Sequence, residues 1–270
     1  MSKKNEDTRN TELVEQSSND IVKQSTQRRG FELADKSTLK PPRIKLLQST
    51  SPEVQDEEFA DYGFRAGMLI NGLLLEKIEG KFIPLMIFDD RALLAPKNEE
   101  QRKALLDTVR LKFGVDLTSE LASGTVLICR AQDNRNGDRF GKCSECKLCD
   151  FDGDRKPFGN KNINVIGVFE EFPDMPCIFR FSSTSYKNGD KFKNLAYYAG
   201  GDLFSRKYKL APAKKSGNGN TWYVLTVKPA GIPNPEELAL AEKMYGVVMA
   251  ANIDLDYEEP EDDSFTTEEY

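Results

Sequence analysis

Residues Asn162–Ser182 read NINVIGVFEEFPDMPCIFRFS. Two apolar runs of strand length, Asn162–Phe172 and Pro176–Ser182, flank the turn-forming pair Pro173-Asp174, which predicts two paired antiparallel strands. Working upstream, Gly124–Arg130 (GTVLICR) reads as another strand, and Asn98–Phe113 carries Leu105, Leu106, Val109 and Phe113 at helical spacing up to a stop at Gly114. Gly67–Glu76 and Lys81–Phe88 are apolar runs separated by the Gly80 region and predict a hairpin, and Ile44, Leu46 and Leu47 suggest a first short strand after Pro41-Pro42.

Downstream, Thr184–Ala199 reads as a Lys-rich helix or loop and Leu203–Leu210 as a strand. Lys214–Asn220 reads as a Gly/Asn/Lys loop, Trp222–Lys228 as a closing strand, and Pro233–Ala251 as a helix with Pro235 and two Glu residues at its start. Many short strands with few helices predict a mainly β fold (α+β), an OB-fold-like Greek-key barrel.

The chain has 270 residues and a formal net charge of -6. Residues 1–40 are rich in Ser, Thr, Asn, Gln and charge, so they predict a disordered N-terminal arm, with one binding domain at 41–251. The acidic C-terminal tail spans 252–270: from Ile253 to Tyr270 there are nine acids and no Lys or Arg. Arg180–Lys228, by contrast, holds ten bases against two acids. A basic region and a detachable acidic end are thus built into one chain. The N-terminus is polar and there is no apolar run of about 18 residues, which predicts no signal peptide, no spanning helix and a place in the cytoplasm.

Histidine is absent. His-based acid/base catalysis and Ser-His or Cys-His nucleophile pairs are therefore excluded. Cys143, Cys146 and Cys149 follow a C-x2-C-x2-C pattern, with Cys129 before and Cys177 after. Thiolates at this spacing converge on one tetrahedral ion, so the region around 129–160 predicts a structural Zn2+ site. Cys129, at the end of a strand that feeds the loop, is preferred over Cys177 as fourth ligand. An iron-sulfur cluster is the weaker alternative, since no Cys-Pro follows Cys149.

Between Phe179 and Tyr223 bases alternate with rings. Cations neutralise phosphates while unpaired bases stack on flat side chains, so this mixture suits single-stranded nucleic acid. The candidate contacts are Arg180, Tyr186, Lys187, Lys191, Lys193, Tyr198, Arg206, Lys207, Tyr208, Lys209, Lys214, Lys215 and Trp222. Strand alternation puts Arg206, Tyr208 and Leu210 on one face and Lys207 and Lys209 on the other.

Four segments, Pro41–Val54 (PPRIKLLQSTSPEV), Cys129–Cys149 (CRAQDNRNGDRFGKCSECKLC), Phe179–Phe192 (FRFSSTSYKNGDKF) and Leu203–Pro229, give the chain a resemblance to bacteriophage and prophage single-stranded DNA-binding proteins. The resemblance implies an OB-fold, a zinc-binding cysteine insertion and an acidic tail. It also implies a non-enzymatic role in phage DNA replication, recombination and repair, with partner proteins recruited through the tail. A further cysteine is implied near Pro157–Gly159, where this chain has Phe158, and that departure puts more weight on Cys129.

Two other readings stand beside this one. A Mg2+-dependent nuclease would draw on Asp89, Asp90, Asp150, Asp152 and Asp154. A zinc-stabilised transcription or virion adaptor would bind protein only. For the tail, the mobile polyanion is expected to occupy the basic groove in place of DNA.

Overall fold

The computed structural model describes residues 40–151, 156–217 and 219–250. In chain order its elements are β1 (Ile44–Leu46), α1 (Pro52–Gln55), β2 (Leu69–Asn71), β3 (Glu76–Lys77), β4 (Lys81–Leu94), α2 (Glu99–Phe113), α3 (Thr118–Ala122) and β5 (Leu127–Ala131). They continue with β6 (Asn136–Gly137), β7 (Gly141–Lys142), α4 (Cys143–Cys146), β8 (Asn160–Phe169), β9 (Phe172–Phe181), α5 (Tyr186–Tyr198), β10 (Lys207–Gly217), β11 (Asn220–Gly231) and α6 (Pro235–Ala250). The protein is mainly β with several helices. Residues 1–39 of the expected N-terminal arm, the acidic tail, Asp152 and Asp154 lie outside the described residues.

The main sheet runs β11-β10-β4-β8-β9, with β5 pairing on β4. Its ladders are antiparallel and the sheet is open. Strand β8 is buried along nearly its whole length because both of its faces are covered, which explains why its sequence is apolar at successive positions. On one face Phe82, Phe169, Phe179, Phe181 and Tyr208 pack with Phe192 of α5. Opposite it, Ile83, Leu85, Ile166, Val168 and Ile178 pack with Ala241, Met244 and Val248 of α6. Helix α5 sits close to β9 because Gly189 leaves room: a Cβ there would lie 2.6 Å from Cβ of Phe181.

Helix α2 begins where the sequence says it should. The Asn98 side chain accepts hydrogen bonds from the Glu100 and Gln101 amides, and Gly114 closes the helix in the left-handed region. Elsewhere the expected boundaries are corrected. The β8–β9 turn falls at Glu170-Glu171, with Phe169 opposite Phe172, so Pro173 and Asp174 belong to β9. The run Gly67–Glu76 does not pair with Lys81–Phe88. It folds back on itself, because the buried Asn71 side chain accepts from the Leu73 and Leu74 amides, and β2 pairs with β3 while β4 joins the main sheet. Strand β10 starts at Lys207 after a 3-10 turn at Leu203–Ser205 and continues through Lys214 and Lys215, where the sequence pattern predicts a loop.

Segment 43–48 lies between the two edges of the main sheet. Arg43 is bridged to Ile178 of β9, while the Gln48 side chain donates to the Tyr223 carbonyl and accepts from the Tyr223 amide of β11, each at 2.9 Å. Among the described residues no helix is long and apolar enough to cross a membrane.

Candidate metal centre and nucleic-acid interface

Beyond β4 the chain builds a separate lobe whose core is Leu105, Val109, Leu117, Leu121, Ile128, Phe140 and Leu148. A cavity of about 20 Å³ opens in it, and Cys129, Cys143, Cys146 and Cys149 all line it, together with Arg91 and Phe140. The elements explain the convergence. Cys129 lies opposite Leu93 on the β4–β5 ladder, the β6–β7 turn returns the chain, and α4 presents Cys143 and Cys146 before Lys147 turns it through φ 54° towards Cys149. Cys177 is elsewhere: it is buried in the sheet core, where Asn71 Nδ2 approaches its sulfur at 3.9 Å.

Two glycines make room for the thiols. A Cβ at Gly137 would lie 2.8 Å from Cys129 Sγ, and one at Gly159 would collide with Cys149 Sγ. Burial pushes the Cys149 thiol up to about 12, against a smaller opposing pull from Arg91. Burial also raises Cys129 and Cys143. Arg91 is held at the cavity by Asn134 at 2.6 Å and Asp150 at 2.7 Å, and Lys161 also pairs with Asp150. Among the described residues, no three His, Cys, Asp or Glu side chains meet closely enough to hold an ion as they stand. A tetrathiolate site needs sulfurs at roughly 2.3 Å from the metal. The cavity exceeds the roughly 10–15 Å³ a water needs, which leaves room for a small ion between the four cysteines.

The basic candidates divide into three groups. On β10–β11, register puts Lys209 opposite Lys228 and Lys215 opposite Trp222. These four share one face by alternation, and all three lysines are exposed while Trp222 is half-buried. Lys214 lies opposite Tyr223 with the other parity. Lys228 is an addition to the candidates read from the sequence; its position directly across from Lys209 becomes visible only with the register.

The second group is on α5, where Lys187, Lys191 and Tyr198 recur at i, i+4 and i+11 and lie exposed on one stripe. Asn188 of the same helix donates to the Leu225 carbonyl at 2.9 Å, which fixes α5 beside β11. Tyr198 is 82% exposed and meets Tyr197 edge-on at 5.3 Å.

The third group is occupied elsewhere. Tyr208 is a correction: it is 2% exposed and packs against Phe192 at 5.0 Å, so no base can reach its ring. Lys207 is bound to Glu237 at 2.9 Å and Glu170 at 3.2 Å, and Lys193 to Asp89 at 2.8 Å. Tyr186 packs on the sheet core, and Arg206 is half-buried just before β10. Arg180 lies on the α6 face of the sheet, bonded to Asn164 at 2.9 Å. Among the described residues, the acids considered for Mg2+, Asp89, Asp90 and Asp150, are not gathered either. Asp89 points to α5, Asp90 is buried under the opposite face with Asn162, and Asp150 serves Arg91.

A protein-family model described as "Pam3 phage gp34-like protein" matches residues 10–102 and 149–254. The unmatched stretch between them contains Cys129, Cys143 and Cys146. No curated protein and no solved structure matches the chain.

Proposed function

The chain belongs to the Pam3 phage gp34-like protein family, a phage family, and from that premise we propose that it is a single-stranded DNA-binding protein without catalytic activity, working in the host cytoplasm. It coats and protects single strands during phage DNA replication, recombination and repair. The observation that carries this reading is one face of β10–β11, where Lys209 lies opposite Lys228 and, six residues along, Lys215 lies opposite Trp222. Like charges directly across a ladder destabilise it, and a polyanion laid over Lys209 and Lys228 relieves that repulsion. Roughly 20 Å farther along the same face, the Trp222 indole opposite Lys215 supplies a surface on which an unpaired base stacks, a contact that a closed duplex does not offer. The α5 stripe of Lys187, Lys191 and Tyr198 extends the same chemistry.

An OB-like barrel accompanies this reading, with segment 43–48 closing the gap between β9 and β11. In the lobe, Cys129, Cys143, Cys146 and Cys149 would hold a structural Zn2+. Four sulfur ligands leave no open position for water, so the ion would brace loops and supply no reaction chemistry. Replication and recombination proteins would be recruited through the acidic tail.

Titration of labelled oligo-dT and of duplex across a salt series tests the reading. Preferential binding of the single strand is expected, with Trp222→Ala weakening it by about 1–3 kcal/mol at an unchanged salt slope. Lys209→Ala and Lys228→Ala should each reduce the log-log slope by about 0.7. Absence of binding at low salt would leave a protein-only adaptor, and Mg2+-dependent cleavage would make the protein a nuclease.

A further inference from the structure

Helix α6 meets the sheet with one stripe only. Leu240, Ala241, Met244 and Val248 pack with Ile83, Leu85, Ile166 and Ile178, and Glu237 of its first turn holds Lys207. The other side of the helix is nearly as apolar, which a helix with a single buried face does not need. At about 100° per residue, Ala239, Glu242, Gly246 and Met249 point away from the sheet, with Tyr245 and Val247 on the flanks, and all six are exposed. Met249 is 56% and Val247 47% exposed. Gly246 is a second sign. A glycine inside a helix is destabilising relative to alanine, and a Cβ at Gly246 would meet nothing within 4 Å, so no contact among the described residues calls for it. Glu242 and Lys243 sit side by side in the middle of this outer side, both exposed.

We propose that this outer side of α6 is an interface between two copies of the chain, joined as an antiparallel helix pair about a two-fold axis between Glu242 and Gly246. Ala239, Glu242, Gly246 and Met249 recur at i, i+3, i+7 and i+10, the seam of a two-helix packing. With Glu242 of one copy level with Gly246 of the other, Ala239 meets Met249 at both ends, small against large, and the stem of Glu242 enters the space that Gly246 leaves. Direction matters here. A parallel pair would set Glu242 against Glu242 of the second copy, whereas the antiparallel pair gathers two carboxylates and two ammoniums, from Glu242 and Lys243 of each copy, around the centre with no net charge. A helix of 16 residues is about 24 Å long and about 10 Å across, so the face covers on the order of a few hundred Å² per copy. That is the small end of specific interfaces, and the pair should form with a Kd of about 1–100 μM. Other occupants fit less well. Nucleic acid or an anionic membrane needs an excess of bases, and on this side Glu242 offsets Lys243.

Sedimentation velocity of the full-length chain without nucleic acid, over about 1–100 μM, tests the pair whether or not the β10–β11 face binds DNA. Wild type should pass from monomer to dimer within that range. Gly246→Leu puts bulk where the close approach is needed and should raise the Kd about tenfold or more. Glu242→Lys and Lys243→Glu should each do the same, since either leaves four like charges at the centre. The double reversal should return the Kd to within about threefold of wild type. That recovery belongs to a self-complementary face, because binding to a different protein would not be restored by exchanging the two charges. Thermal unfolding should show no midpoint lowered by more than about 2 °C, as all three positions are exposed. A variant that fails to fold gives way to Ala239→Glu, on the same seam and under the same criterion as Gly246→Leu. A chain that stays monomeric throughout overturns the proposal. So does a dimer that survives Gly246→Leu or either single reversal, and so does a double reversal without recovery.

Discussion

The sheet core and the cysteine lobe are both built of buried side chains, yet they rest on different physics. In the first, Phe82, Phe169, Phe179, Phe181, Phe192 and Tyr208 form a continuous network of rings, with Phe82 and Phe179 at 5.1 Å edge to face. Burial of that much apolar surface is sufficient in itself. In the second, aliphatic residues from two helices surround four thiols, three of which burial holds away from ionisation. The comparison teaches that the lobe has given over part of its interior to four thiols that contribute little as thiols and, under the proposed reading, would brace it as ligands of one ion.

The largest expected effect tests the self-sufficiency of the ring network. Phe179→Ala should cost about 3–5 kcal/mol and destabilise the whole sheet, as read by denaturant unfolding. A loss under about 1 kcal/mol would mean that the network is not what holds β4, β8 and β9 together. A smaller and more local effect tests the lobe. The purified protein should carry about one zinc, and its removal, or Cys146→Ser, should speed amide exchange roughly tenfold or more in β5–α4 while leaving β8 and β9 protected. A metal-free protein with an equally protected lobe would dissolve the contrast.

The smallest effect concerns the loop between α2 and α3. The Asp116 carboxylate accepts from the Thr118 hydroxyl at 2.6 Å and amide at 3.0 Å and from Arg110 at 2.7 Å, which hold it down to about 2 from an ordinary 3.8. Its folded value is therefore below its unfolded one. That stabilisation is present above about pH 4 and is lost as pH falls towards 2. Asp116→Asn should flatten this part of the lobe's acid-unfolding profile, followed by exchange in α2 and α3. A variant profile that tracks wild type through this window would show that the loop contributes nothing there.

Much of this contrast is legible in the sequence. Helix α2 is readable from both ends because Asn98 and Gly114 act locally, and the C-x2-C-x2-C spacing already marks one loop. Tyr208 carries a usable signal in its i, i+2 relation to the buried Leu210, but a ring among lysines looks like a surface ring. The β2–β3 fold-back depends on one side chain, Asn71, satisfying two amides, which no periodicity reveals. The pairing of Lys209 with Lys228 is unreadable for a different reason: it exists only through a β10–β11 register set by other residues.

One edge of β4 is divided between two neighbours, β10 at Lys81-Phe82 and β5 at Arg91–Leu94. The lobe thus also acts as a cover for a strand end. A version of the chain trimmed between residues 103 and 148 would bare four consecutive ladder positions, among them the apolar Ala92, Leu93 and Leu94, to any passing strand. Anyone shortening this protein would have to put a charge, a proline or another strand in that place, or accept a molecule that sticks to its own copies.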